Sequence, residues 1–129
     1  MKDGHGGVTI GSEVSGNVRN VFVDGCHMDS PHLERALRIK TNSYRGGAVE
    51  NVYFRNVTVG QVSDAVVQVD FYYEEGLGGQ FLPTVRNIAL QNVGCRTSKY
   101  ALNLRGIRLR RFAMYDYPTA SSNVSLNLT

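Results

Sequence analysis

Val18-Arg19-Asn20-Val21-Phe22-Val23 is written again, with small changes, as Val49-Glu50-Asn51-Val52-Tyr53-Phe54 and as Val85-Arg86-Asn87-Ile88-Ala89-Leu90. The shared asparagine falls at 20, 51 and 87, at intervals of 31 and 36 residues. Self-similarity at such a period marks a solenoid, in which each repeat buries its apolar face against its neighbours. A second phrase is interleaved with the first: Val8-Thr9-Ile10-Gly11, Leu37-Arg38-Ile39-Lys40, Val67-Gln68-Val69-Asp70 and Leu102-Asn103-Leu104-Arg105. All four alternate apolar and polar residues, the period of a strand with one buried and one wet face. Each repeat therefore carries two short strands joined by turns rich in Gly and Asn. The chain has no helical stripe of the length a crossover helix needs, which argues against a βαβ sheet.

Strands that stack on their equivalents one repeat later run parallel. The expected fold is all-β, a right-handed parallel β-helix of about four coils within a longer helix. Val8/Leu37/Val67/Leu102 and Ile10/Ile39/Val69/Leu104 are its expected internal ladders, and Asn20/Asn51/Asn87 its expected amide ladder at a turn. An antiparallel β-sandwich is the competing architecture for short strands at this spacing. It gives no reason for the phrases to repeat.

The chain of 129 residues allows one domain, and its formal net charge of +3 is mildly basic. Such an excess can favour an acidic partner, although Arg105, Arg108, Arg110 and Arg111 concentrate much of it in one tract. No nucleic-acid motif accompanies that tract, so no nucleic-acid partner is expected. Two cysteines, Cys26 and Cys95, are too few for a disulfide framework. Both align with apolar positions of the repeat, so buried free thiols are expected. His27 and His32 bracket Asp29 beside Pro31, which reads as a surface turn rather than a metal site. No metal or other cofactor is expected.

No segment approaches membrane-spanning length, and Met1-Lys2-Asp3-Gly4 lacks the apolar core of a signal peptide. The first strand arrives at Val8 with no capping element before it, the look of a fragment. Residues 1–106 are expected to form a partial β-helix. Residues 107–129 abandon the repeat and are expected to be a divergent tail: a cap, a disordered end or the product of a shifted reading frame. Uncapped coils would expose strand edges that invite self-association.

Chemistry points to the outward positions of the second phrase. Arg38 and Lys40 project from one face two residues apart, with Gly11 leaving open space on one side and Asp70 beside Lys40 on the other. A planar fork and a point charge together suit a carboxylate or phosphate. The competing reading is a solvated strand face with a Lys40–Asp70 surface pair. His5, between Gly4 and Gly6, is either an ordinary turn histidine or a residue held at the mouth of the same strand row, able to orient a catalytic carboxylate.

Gly4-His5-Gly6, then Gly7-Val8-Thr9-Ile10-Gly11-Ser12-Glu13 and Arg38-Ile39-Lys40, in register with the repeat, resemble family 28 of the glycoside hydrolases, the polygalacturonases. Val67-Gln68-Val69-Asp70 through Tyr73-Glu74-Glu75-Gly76 resembles the family's substrate-contacting loop. The resemblance covers residues 3–105 and is closest in phrasing to bacterial members, exo-acting types included. It implies a right-handed parallel β-helix and hydrolysis of the α-1,4 links of galacturonan in pectin. It matches His5 to the active-site histidine, Arg38 and Lys40 to the residues that bind the galacturonate carboxylate, and Tyr73 to the substrate-contacting tyrosine.

Inverting glycosidases need one carboxylic acid and one carboxylate flanking the scissile bond. The family draws these from N-T-D and D-D motifs upstream of G-H-G, and neither occurs in this sequence. The chain is thus expected to be a fragment of a pectin-degrading hydrolase with polygalacturonate or oligogalacturonate as partner, inactive alone, its parent secreted or periplasmic. The alternative is a non-catalytic β-helix module that binds acidic polysaccharide or a partner chain.

Overall fold

A computed structural model of the protein describes residues 2–74 and 78–106 and the strand Val124–Leu128. Every regular element among the described residues is a strand, and no helix there is long and apolar enough to cross a membrane. Strands β1 (Asp3–Gly4) and β5 (His32–Leu33) pair in parallel as a small sheet. Strands β2 (Val8–Ile10), β6 (Arg35–Lys40), β8 (Ala65–Asp70) and β10 (Tyr100–Arg105) form a second sheet, parallel throughout. A third contains β3 (Asn17–Asp24), β7 (Ala48–Gln61) and β9 (Thr84–Thr97), also parallel, with the short β4 (His27–Met28) against β7. The chain alternates between the second and third sheets, and each passage stacks on the one before. This is a parallel β-helix, with four rungs on the second sheet.

The observed register is the one that the repeat implies. Val8 pairs with Leu37, Leu37 with Val67 and Val67 with Leu102; Ile10, Ile39, Val69 and Leu104 follow in the same way. Their side chains meet those of Val49, Val52, Phe54, Val85 and Ile88 across the interior. Rungs about 4.8 Å apart place like residues in contact, so the core is a set of continuous apolar rows.

The repeated asparagines shape the third sheet. Asn20, Asn51 and Asn87 hold φ of 60°, 55° and 55°, a left-handed conformation that asparagine tolerates better than most residues. Asn51 Nδ2 donates to Asn20 Oδ1 at 3.1 Å, and Asn87 Nδ2 to Asn51 Oδ1 at 3.0 Å, the expected amide ladder. A second, unanticipated ladder follows it. Gly25, Asn56 and Asn92 are left-handed at 68°, 51° and 52°, Asn92 Nδ2 donates to Asn56 Oδ1 at 2.9 Å, and Asn56 Nδ2 donates to Asp24 Oδ1 at 2.8 Å. Each left-handed residue inserts a step that breaks the alternation. The buried apolar side chains of β7 are therefore Val49, Val52, Phe54, Val57 and Val59. On the outer face Phe22 stacks on Tyr53, ring centroids 4.9 Å apart.

The expectation of buried thiols needs amendment. Cys26 is half-buried and Cys95 is exposed, although Cys95 pairs in register with the buried Val59. Among the described residues nothing stacks on the far half of β9, because β11 (Val124–Leu128) runs antiparallel against Val85–Leu90 only. Most of the expected tail, residues 107–123 and 129, lies outside the described residues; Val124–Leu128 is strand.

Candidate functional site

The outward rows of the second sheet are Thr9/Arg38/Gln68/Asn103 and Lys40/Asp70/Arg105. Arg38 is buried and Lys40 half-buried, both at the end of β6. Tyr73 enters from the loop after β8, one coil further on. Its ring lies 4.2 Å from Lys40 Nζ and 5.3 Å from Arg38 Cζ, so both cations converge on one aromatic face. Neither cation has a carboxylate within ion-pair distance among the described residues, and the buried Nε of Arg38 has no acceptor there. Two unneutralised cations with a buried, unsatisfied donor have the chemistry that suits an anion.

Tyr73 is held from below. The buried Asn42 donates from Nδ2 to the Tyr73 carbonyl at 2.9 Å, and its Oδ1 accepts from Tyr44 N at 3.0 Å and Arg45 N at 3.2 Å. The Tyr73 amide donates to the Thr41 carbonyl at 3.4 Å. Lys40 is fixed on its other side, where a Cβ at Gly11, whose φ is 107°, would collide with the Lys40 carbonyl oxygen. Lys40's own backbone therefore closes the Cβ side of Gly11, and the open space expected beside Gly11 is the depression that Gly11 and Lys40 both line. This open depression of about 480 Å³ is lined by Ser12, Glu13, Asn17 and Lys40 among others.

His5 stands exposed at the edge of this face. The next residue abuts the cationic strand: a Cβ at Gly6 would come within 3.2 Å of Arg38 Cβ. His5 Nδ1 lies 2.9 Å from Glu34 Oε1, and Glu34 also pairs with Arg35, which reaches Asp64 at 2.7 Å. Burial alone would push the Glu34 carboxyl up. The hydrogen bond to His5 and the charge of Arg35 outweigh it and hold the group below its ordinary value. Glu34 is a site residue that motif reading missed. Its signal was the spacing: His5 and Glu34 are 29 residues apart, the interval that also sets Val8 on Leu37.

Asp70 stands in register with Lys40 but pairs with Arg105, at 3.3 Å, and accepts from Tyr72 N at 3.0 Å. The Lys40–Asp70 pair of the competing reading does not form, because Arg105 from the next coil reaches Asp70 while Lys40 lies over Tyr73. The three carboxylates of neighbouring strands and turns, Glu34, Asp64 and Asp70, are thus each engaged by an arginine. No group of three His, Cys, Asp or Glu side chains is placed to hold a metal ion among the described residues. Asp29 pairs with Arg96 at 3.6 Å, and His32 sits in register with Asp3.

Fold and face together define a parallel β-helix protein with two cations, unpaired with any carboxylate among the described residues, on one sheet surface. Glycosyl hydrolases family 28 matches residues 1–106, and the chain belongs to that family. It is 33% identical over 91 residues to a polygalacturonase of Ralstonia solanacearum, covering 69% of this chain and 17% of that protein. A polygalacturonase of Ralstonia nicotianae (strain ATCC BAA-1114 / GMI1000) is 34% identical over the same length and with the same coverage. The chain thus spans 17% of the length of the curated relatives it matches. No solved structure matches it significantly.

Proposed function

We propose that this chain is the substrate-holding part of a polygalacturonase, an inverting hydrolase of α-1,4-galacturonosyl links that works outside the cytoplasm, where pectin occurs. Arg38 and Lys40 receive the galacturonate carboxylate, Tyr73 lies against the sugar, and His5, oriented by Glu34, stands beside them. One observation carries the reading: two cations converge on Tyr73 with no carboxylate paired to either among the described residues. A polyanionic sugar supplies the missing charge. Inversion also needs an acid and a base carboxylate with room for water between them. Glu34, Asp64 and Asp70 are committed to arginines, so the reading assigns that pair to residues outside this sequence and expects negligible hydrolysis by the chain alone.

Titration of the purified chain with oligogalacturonate, followed by calorimetry, tests the reading. Loss of a charge-assisted contact is worth about 1.5–3 kcal/mol, so Arg38→Ala should weaken binding roughly tenfold to a hundredfold. Binding indifferent to both Arg38→Ala and Lys40→Ala would sink it. A second reading, a β-helix module that binds acidic polysaccharide without cleaving it, is favoured by the arginine-bound state of all three carboxylates. Release of reducing ends by the chain, lost in Arg38→Ala, would exclude that second reading and the expected inactivity together.

A further inference from the structure

Beyond Lys40 the chain leaves β6 into a loop, residues 41–47, on which a loop of the next coil, residues 78–83, is stacked. Together they present an uncharged apolar patch: Phe81 is 63% exposed, Leu82 61% and Tyr44 49%. The patch is built into the fold. Phe81 N donates to the Ser43 carbonyl at 2.8 Å, and Gly79 N to Ser43 Oγ at 2.9 Å, which ties the second loop to the first. Glycines seat the rings: a Cβ at Gly78 would collide with Tyr44 Oη, and one at Gly46 would stand 2.8 Å from Phe81 Cβ. The Tyr44 ring therefore lies against the bare backbone of Gly78, and the Phe81 side chain leaves the chain directly over Gly46. Arg45, the one charged residue of the two loops, is drawn aside to Glu13 at 3.3 Å.

The patch continues the cationic site. The same Asn42 side chain that holds the Tyr73 carbonyl also accepts from the Tyr44 amide. A ligand lying over Lys40 and Tyr73 and extended towards this corner would pass from a doubly cationic surface to a neutral aromatic one. A carboxylate placed there would lose hydration and, among the described residues of the two loops, find only Arg45, already paired with Glu13, an unfavourable transfer. A sugar ring offering C–H groups and an uncharged substituent would lose nothing comparable and would gain apolar contact with the rings.

We propose that Tyr44, Phe81 and Leu82 form a subsite that takes a uronic acid residue whose carboxyl is neutralised as an ester, adjoining the position where Arg38 and Lys40 demand a free carboxylate. The inference deepens the function proposed above and rests on it. It makes the chain selective for partly esterified acidic polysaccharide, with a free acid at one position and an ester at the next.

The test is calorimetric titration of the full chain with short oligogalacturonates, either unesterified or partly methyl-esterified. The wild type should bind the esterified probe more tightly. Tyr44→Ala and Phe81→Ala should each weaken that binding about threefold to tenfold, the range of an aromatic contact, and leave the unesterified probe within about twofold. Tyr44→Phe should retain the wild-type preference. Tyr44→Leu, which keeps bulk without an aromatic face, should lose it and serves if an alanine variant does not fold. Unchanged affinity for the esterified probe in both alanine variants, with Arg38→Ala still damaging, overturns the subsite and leaves the proposed function standing. Indifference of both probes to Arg38→Ala overturns the two together. Concentration-dependent self-association that vanishes in Tyr44→Ala, without any change in sugar binding, would mark the patch as a contact between copies and overturn the subsite as well.

Discussion

Asn51 occupies the middle of the amide ladder, and replacing it separates two contributions that the repeat combines. Its Nδ2 donates to Asn20 Oδ1 at 3.1 Å, its Oδ1 accepts from Asn87 Nδ2 at 3.0 Å, and its backbone holds φ of 55°. The ladder is partly solvated, so each hydrogen bond contributes at the low end of the usual range, about 0.5 kcal/mol. A left-handed φ costs an alanine about 1–2 kcal/mol. Asn51→Ala should therefore destabilise the protein by about 2–3 kcal/mol. Asn51→Gly loses the same two bonds without the conformational strain, but the unfolded chain gains roughly 0.4–1 kcal/mol in entropy. The glycine variant should thus be the more stable of the two, by about 0.5–1 kcal/mol. Urea denaturation of the three proteins measures the difference directly. An alanine variant as stable as the glycine variant, or more so, would refute the claim that asparagine recurs here because the coil bends through a left-handed residue.

Acid stability should depend on Glu34. The fold holds its carboxyl below the ordinary value, so the unfolded chain takes up the proton first as pH falls. Its stabilising contribution is complete above about pH 5 and fades as pH drops through the lowered value. Denaturation midpoints across that range should flatten in Glu34→Gln, modestly, because 36% of the Glu34 side chain is in water. Gly11→Ala should lower stability by several kcal/mol and loosen Lys40, since it combines a φ of 107° with a collision against the Lys40 carbonyl. Gly16→Ala, whose Cβ would meet nothing within 4 Å, should stay within about 0.5 kcal/mol of the wild type in the same melts. Cys95 should react with a thiol reagent such as DTNB faster than the half-buried Cys26, a contrast that single Cys→Ser variants would assign.

The length of each coil was written in the chain. Because rungs of a parallel β-helix repeat like residues over like, intervals of 29, 30 and 35 residues place Val8, Leu37, Val67 and Leu102 in one row. The same intervals set Arg38 and Lys40 on an outward face and aligned Asp70 with Lys40. They also contained the His5–Glu34 pair, which went unread because Glu34 belongs to no motif. The second left-handed ladder was hidden for a related reason: its first member is Gly25, so the asparagine recurs only once, from Asn56 to Asn92.

Register names a residue's neighbours along a row but leaves open where a long side chain points. Lys40 and Asp70 are in register, yet Lys40 lies over Tyr73 and Asp70 turns to Arg105. That choice depends on Tyr73, which enters from a loop outside the alternation and is held by Asn42. The exposure of Cys95 likewise follows from what stacks on β9, not from the residue's alignment with buried positions. The sequence alone determined the period, the inward rows and the strand that carries the cations, because strand alternation and coil length are local properties that the repeat displays. Only the tertiary structure decided which charges remain unpaired and which loops stand beside them, because those outcomes depend on long side chains and turns from three different coils meeting at one corner.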